Sequence, residues 1–366
     1  YRPNEKRQDQ QQTMGKHGSR TVPGTINGFL SPGTHKDLFA GCLRDEWVGE
    51  VVLDESDLTG CAVDGPAKTL PFARGDPGAL GWRVGGIYQL SNMSTAGNNS
   101  VNIVALGFSG TSNRVMSYYS PVALTTQSAD TAFTITEIGG RLFPPAAKEN
   151  QTQYKFAFEV YNPEPDLARL YTECRMGGFD LSVGVNANVG LNFSLLGRNR
   201  QVLSSGSAPF FTSPTAETTT DIPTAMQGLL RLNGATIGVV TGLNIKADLA
   251  PEAAKAINAD GLVAGIQQGD LMVSGDFSVF LTDGTILSAY DDETEMELLA
   301  FLPSGNAATS PANVFYLPRI KINSNGESDV SKAKAIQCQF EAARYFGAAP
   351  GVESTTIQIT DTQITF

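Results

Sequence analysis

Histidine, tryptophan and cysteine are scarce in this chain: 366 residues carry two His, two Trp and four Cys. His17 and His35 have no Cys or carboxylate at a ligand spacing, which argues against a zinc centre. Cys42, Cys61, Cys174 and Cys338 lie far apart and form no C-x-x-C pair. That pattern speaks against a disulfide framework and for buried thiols in a reducing compartment. No apolar run approaches the roughly 20 residues that span a bilayer, so no membrane partner is expected. No signal-peptide pattern is visible. The chain begins at Tyr1 without Met, so an upstream segment is expected. The phosphate loop G-x-x-x-x-G-K-[ST], the H-E-x-x-H pair and the G-x-S-x-G elbow are all missing. "GWRVGG" (81–86) and "NGATIGVVTG" (233–242) do not open a helix after a strand, which argues against a dinucleotide site. No cofactor is expected. Basic residues are outnumbered, 26 Lys and Arg against 37 Asp and Glu, for a formal charge of −11. Such a balance argues against a surface that grips nucleic acid through its phosphates. It allows a surface that must avoid gripping it.

Glycine and proline are plentiful, 38 and 19 residues, and 41% of the chain is apolar. This composition suits a turn-rich β protein with a packed core, in two domains or one large one. Strand patterns recur in "SVNIVALGF", "TAFTITEIG", "YKFAFEVYN", "DLMVSGDFSVFL", "MELLAFL", "NVFYLPRIKI", "AIQCQFEA" and "TTIQITDT". Short helices are expected near 34–43, 250–258 and 284–292, with Thr34 as N-cap of the first and Asp37 three residues on. The class is therefore mainly β with a few short helices. Residues 1–22 read as a polar arm, and 199–224, rich in Ser, Thr and Pro, as a long surface loop. The acidic cluster "DDETEMELL" reads as a solvated turn, since no calcium-loop pattern fits it. Trp47 and Trp82 read as core or interface anchors.

The longest alternation is "GFDLSVGVNANVGLNFSLLGR" (178–198). Its odd positions, Phe179 to Leu195, are apolar, and its even positions are small and polar. A hairpin is expected with its turn at Asn186-Ala187-Asn188. A second regularity is a repeat: "GTINGFLSPGTHKDLF" (24–39) matches "GDFSVFLTDGTILSAY" (275–290), both reading strand, turn, helix. The repeat implies two domains of one topology. The expected division is residues 1–140, a β domain with the polar N-terminal arm, and 141–366, a β domain carrying the 199–224 loop.

Taken in order, several stretches resemble the major tail (tail tube) proteins of long-tailed, siphovirus-like bacteriophages. They are "NEKRQDQ" (4–10), the "G-x-I-x-G-x-L" strand and helix at 24–43, "GWRVG" leading into "IYQLSNM…NNSVNIVAL" (81–106), the central 154–198, "LMVSGDFSVFL" (271–281) and "YLPRIKI" (316–322). Gly86 stands where that family usually has Asp. The similarity covers most of the chain, and its weight lies in the order of the stretches. It implies two tail-tube-type β-sandwich or barrel domains in a non-enzymatic virion protein, assembled in the bacterial host cytoplasm. Its rings would stack head-to-tail into a conduit for double-stranded DNA that first houses the tape-measure protein. Tail terminator and distal tail proteins are further implied partners. The repeat favours rings of three two-domain subunits, with six as the alternative.

On this reading the candidate lumen-facing residues are Asp180, Ser182, Asn186, Asn188, Asn192 and Ser194. Candidate inter-ring or inter-subunit contacts are Arg2, Lys6, Arg7, Gln10, Phe210 and Phe211. One rival is another β-rich virion component, such as a capsid decoration, baseplate or adhesin module. A carbohydrate-active enzyme is a second rival, but it needs a carboxylate pair across a cleft and nothing in the sequence nominates one.

Overall fold

The computed structural model describes residues 18–204, 206–213, 218–225, 228–236, 240–256, 261–280, 284–330 and 333–366. The chain enters through β1 (Val22–Phe29) and α1 (Lys36–Leu43). Eight short strands follow: β2 (Val52–Asp54), β3 (Thr59–Val63), β4 (Thr69–Arg74), β5 (Ile87–Ser91), β6 (Val101–Ser109), β7 (Val115–Tyr119), β8 (Gln127–Asp130) and β9 (Thr134–Glu137). Next come β10 (Gly140–Leu142), β11 (Phe156–Asn162), the long β12 (Leu167–Gly184), β13 (Gly190–Gly197) and β14 (Asn199–Ser204). The remainder is β15 (Leu229–Leu232), β16 (Ala235–Thr236), β17 (Val240–Asp248), β18 (Glu252–Ala254), β19 (Gly265–Gln267), β20 (Met272–Phe280), α2 (Thr285–Asp291), β21 (Met296–Pro303), β22 (Ala312–Val330), β23 (Ala333–Ala342) and β24 (Gln358–Asp361).

These strands sort into two main sheets. The larger runs β1-β13-β12-β17-β20-β23-β22-β21-β15-β16, with β10, β11, β14 and β24 attached beside it. The smaller runs β2-β9-β5-β6-β7-β4-β3-β8 and lies wholly between α1 and β10 in sequence. Within this path the 19-residue β22 pairs β21 and β24 through its first half and β23 through its second. Pro318 lies in β22 where the register with β21 shifts between Leu298 and Met296, a bulge that needs no proline N–H.

The main core draws from both sides of the folded sheet and from both helices. Phe39 of α1 inserts between the layers, with edge-on ring contacts to Phe179 at 5.2 Å, Phe193 at 5.3 Å and Phe315 at 6.0 Å. The helix buries Phe39, Ala40, Gly41, Cys42 and Leu43 and ends at Arg44, whose left-handed φ of 60° lets its N–H reach the Ala40 carbonyl at 2.7 Å. The smaller sheet has its own core, including Leu58, Phe72, Trp82, Tyr88, Ile103 and Phe133. A third cluster joins the two units: Val84, Ile87 and Val104 pack on Leu299, Phe301, Val314 and Tyr316.

Polar contacts reinforce that junction. Gln358 Nε2 donates to the Val84 carbonyl and Thr360 Oγ1 to the Gly85 carbonyl, both at 2.9 Å. Glu137 at the end of β9 and Arg141 on β10 form an ion pair with side chains 0% and 4% exposed. Glu353 stands 3.8 Å from Arg141 and also pairs with Arg83. Burial pushes the Glu137 carboxyl above its usual range, and the Arg141 guanidinium opposes that shift. Glu137→Ala strands the buried guanidinium with only the more distant Glu353. It is expected to cost about 3–5 kcal/mol, read from the denaturant midpoint.

All four cysteines are buried and unpaired. Burial pushes the Cys61 thiol up to about 12 and the Cys174 and Cys338 thiols up to about 11. The two copies of the repeat are β1 with α1 and β20 with α2, each a strand followed by a helix.

Three local expectations change. The helix expected over 250–258 is replaced, where described, by β18 paired to β19. Pro251 follows Ala250, whose φ is +40°, and the "EAA" segment takes a ladder instead of an isolated turn of helix. Residues 199–204 of the expected loop form β14 against β12. Thr34 does not cap α1: the helix begins after His35 without a side-chain cap, and Thr34 Oγ1 turns to Thr218 Oγ1.

Candidate functional surface

The hairpin of β12 and β13 forms the centre of the surface. Register puts Phe179 opposite Phe193 and Leu181 opposite Leu191 on one side, and Asp180 opposite Asn192 on the other. Phe179, Leu181, Val189, Leu191 and Phe193 are at most 2% exposed. Asp180, Ser182, Asn192 and Ser194 are all exposed. Alternate residues of a strand point to opposite faces, so the period in the sequence becomes a dry face and a wet one. The apolar parity breaks at the turn, where Val185 is 57% exposed. Asn186 has a φ of 57° and the Ala187 N–H reaches the Gly184 carbonyl at 3.2 Å.

That turn changes the reading of two candidates. Asn186 and Asn188 are exposed, but they sit in the connection between strands and not on the sheet face. Asn188 bridges to Thr224. At the other end of the hairpin, β12 bulges between Met176 and Gly178. Gly178 has a φ of 140°, and a Cβ there would meet the Ala247 carbonyl oxygen at 2.0 Å. Only glycine allows β17 to approach so closely.

The wet face continues well beyond the hairpin. One row of directly opposed residues crosses seven strands: Asn27, Asn192, Asp180, Lys246, Ser274, Glu341 and Lys321. A parallel row holds Ser182, Asn244, Asp276, Gln339 and Ser324. Parts of both rows line an open depression of about 470 Å³.

Each ammonium on this face has a carboxylate beside it. Lys246 Nζ lies 3.4 Å from Asp248 and stands opposite Asp180. Lys321 pairs with Glu293 and stands opposite Glu341. Asn244 Nδ2 reaches both oxygens of Asp276 at 3.1 Å. Carboxylates therefore outnumber ammonium groups, and among the described residues of this face no cation is left unpaired to hold an anion.

Sequence reasoning found the hairpin's share of this surface and missed Asn244, Lys246, Asp276, Gln339 and Glu341. The signal was present: "GLNIKAD", "SGDFSVF" and "IQCQFEA" alternate with the same period. Phe211 is 48% exposed, and its N–H and that of Phe210 are both held by the Glu159 carboxylate. Arg2, Lys6, Arg7 and Gln10 lie outside the described residues. Among the described residues no three His, Cys, Asp or Glu side chains converge as metal ligands, and no helix is long and apolar enough to cross a membrane.

The body is mainly β and exposes a broad face of small polar and charge-matched side chains. The family model for phage tail tube protein matches residues 1–357, and the chain belongs to that family. No curated protein matches it. Membership makes it a structural component of a virion tail that self-assembles into a tube.

Proposed function

We propose that the polar face of β1, β13, β12, β17, β20, β23 and the second half of β22 lines the bore of a siphovirus-like tail tube. Double-stranded DNA passes along this face during ejection, and the tape-measure protein occupies the bore beforehand. The observation that carries the reading is the pair of rows described above, with small amides, hydroxyls and neutralised ammonium groups. A polyanion sliding past them meets no cluster of cations whose counterions it would displace. Asp180, Ser182, Asn192 and Ser194 remain lumen candidates on this reading, joined by Asn244 and Gln339. Asn186 and Asn188 would sit at the rim.

Ring closure has a physical basis in the sheet edges. Among the described residues, β1 is paired only with β13, and β22 beyond Ile322 only with β23. Open edges invite pairing with another chain, and closed rings are the ordered outcome. The β1–β13 pairing draws residues from both sides of the inserted strands into one core, which supports one tube unit and one inserted unit per chain. That favours six copies per ring over the three suggested by the repeat. Rings stacked head-to-tail, with terminator and distal proteins at the two ends, complete the tail in the host cytoplasm.

Electron microscopy of the purified chain tests this. Tubes of uniform diameter with six equal lobes end-on are expected. Monomers alone at high concentration would sink the reading.

A further inference from the structure

The three-stranded arm made by β11, the first half of β12 and β14 has one partly covered face and one bare face. Residues opposed in antiparallel register share a face. Glu159, Ala168, Leu170 and Leu203 lie on one side, and Val160, Arg169, Tyr171, Arg200 and Val202 on the other. The first side is partly covered by the segment following β14, although Tyr161, which shares it, is 39% exposed. Glu159 accepts the Phe210 and Phe211 N–H groups at 2.7 and 2.9 Å, Asp166 accepts that of Gly206 at 2.7 Å, and Ala168 is fully buried.

The second side has no such cover: Val160 is 45% and Val202 52% exposed. Arg169 donates to Asn162 at 3.2 Å, but its Nε is buried without an acceptor. Neither Arg169 nor Arg200 forms an ion pair among the described residues. Tyrosine and arginine are residue types enriched at protein interface centres, and here they stand beside exposed valines.

A complementary surface lies at the opposite end of the polar sheet. There α2 packs on β22, and the turn from α2 into β21 exposes Asp291 and Asp292, which have no ion pair among the described residues. Heterologous ring contacts join two different surfaces on opposite sides of a subunit. The arm grows from β12 near the β1 edge, and the acidic turn lies near the β22 edge.

We infer that the bare face of the arm docks on the α2–β21 turn of a second copy of this chain, the next one in the ring. The inference rests on the tube reading. Complementary charge then fixes which neighbour the arm accepts, while the valines and Tyr171 supply the buried contact.

The test uses the full chain. Arg169→Glu with Arg200→Glu reverses the arm, and adding Asp291→Arg with Asp292→Arg reverses the turn as well. Circular dichroism and the melting temperature establish folding, and sedimentation with electron microscopy measures assembly. The arm variant is expected to fold normally and to raise the concentration needed for assembly by about tenfold or more. The fourfold variant is expected to restore assembly. Should the arm variant fail to fold, Arg169→Gln with Arg200→Gln replaces it and is expected to weaken assembly in the same direction. An arm variant, Glu or Gln, that assembles like the wild type, or a fourfold variant no better than the arm variant, overturns the docking. Wild-type chain that never forms tubes overturns the tube reading itself and not merely this contact.

Discussion

Leu191→Asp is expected to leave no folded protein, while Asn192→Ser at the adjacent position is expected to change stability by less than about 0.5 kcal/mol. Leu191 is 1% exposed, opposite Leu181 on β12, in the core that α1 closes with Phe39. Removing its side chain from that core forfeits about 1.5–3 kcal/mol of transfer free energy. The new carboxyl must then either stay ionised without a partner or take up a proton, and both routes add to the loss. A total of about 5 kcal/mol or more is comparable with the whole stability of many domains. Asn192 projects from the same strand to the wet side, where a shorter hydroxyl side chain stays hydrated. Soluble yield and the far-ultraviolet dichroism of the two variants decide the matter. Folded, tube-forming Leu191→Asp protein would show that the dry and wet sides of the hairpin have been exchanged, since a one-residue slip in register moves every side chain to the other face.

What the sequence disclosed and what it hid divide along the same line. Alternation is a local signal, so β12, β13, β20, β21 and β23 were legible from the spacing of Phe179, Leu191, Phe277, Leu298 and Phe340 alone. Pairing is not local. Nothing in the text of 22–29 indicates that Val22 lies opposite Gly197, or that the strands from Val52 to Glu137 form a separate sheet inserted into the larger one. The polar surface was therefore seen as one hairpin, because Lys246 and Glu341 join it only through register with Asp180 and Ser274. The strand at 199–204 was obscured by its Asn, Arg and Gln, residues that suit an arm wet on one side but not a core. The expected helix at 250–258 reflected the propensity of Glu252, Ala253 and Ala254, which the pairing with 265–267 overrides.

Asn192→Lys, Asn244→Lys and Gln339→Lys together are expected to leave the fold and the tube intact and to make the bore hold DNA. Each site is exposed and has a carboxylate directly opposite, Asp180 for Asn192 and Asp276, shared, for the other two, which offsets part of the repulsion from Lys246 two residues along β17. The two rows carry Asp180, Asp276 and Glu341 against Lys246 and Lys321, and the three substitutions reverse that sign. Multiplied around a ring and along a stack of rings, the added charges far exceed the 6–10 phosphate contacts that give roughly 10³–10⁵ in affinity between 50 and 200 mM salt. Retention of double-stranded DNA by assembled tubes should accordingly rise by on the order of 10³ at low salt and fall steeply as salt is added. Phage carrying the variant should form tails of normal length and deliver DNA slowly. If the tubes assemble, bind no additional DNA and infect normally, the polar face lies outside the bore, and the lumen must be sought on another surface of the chain.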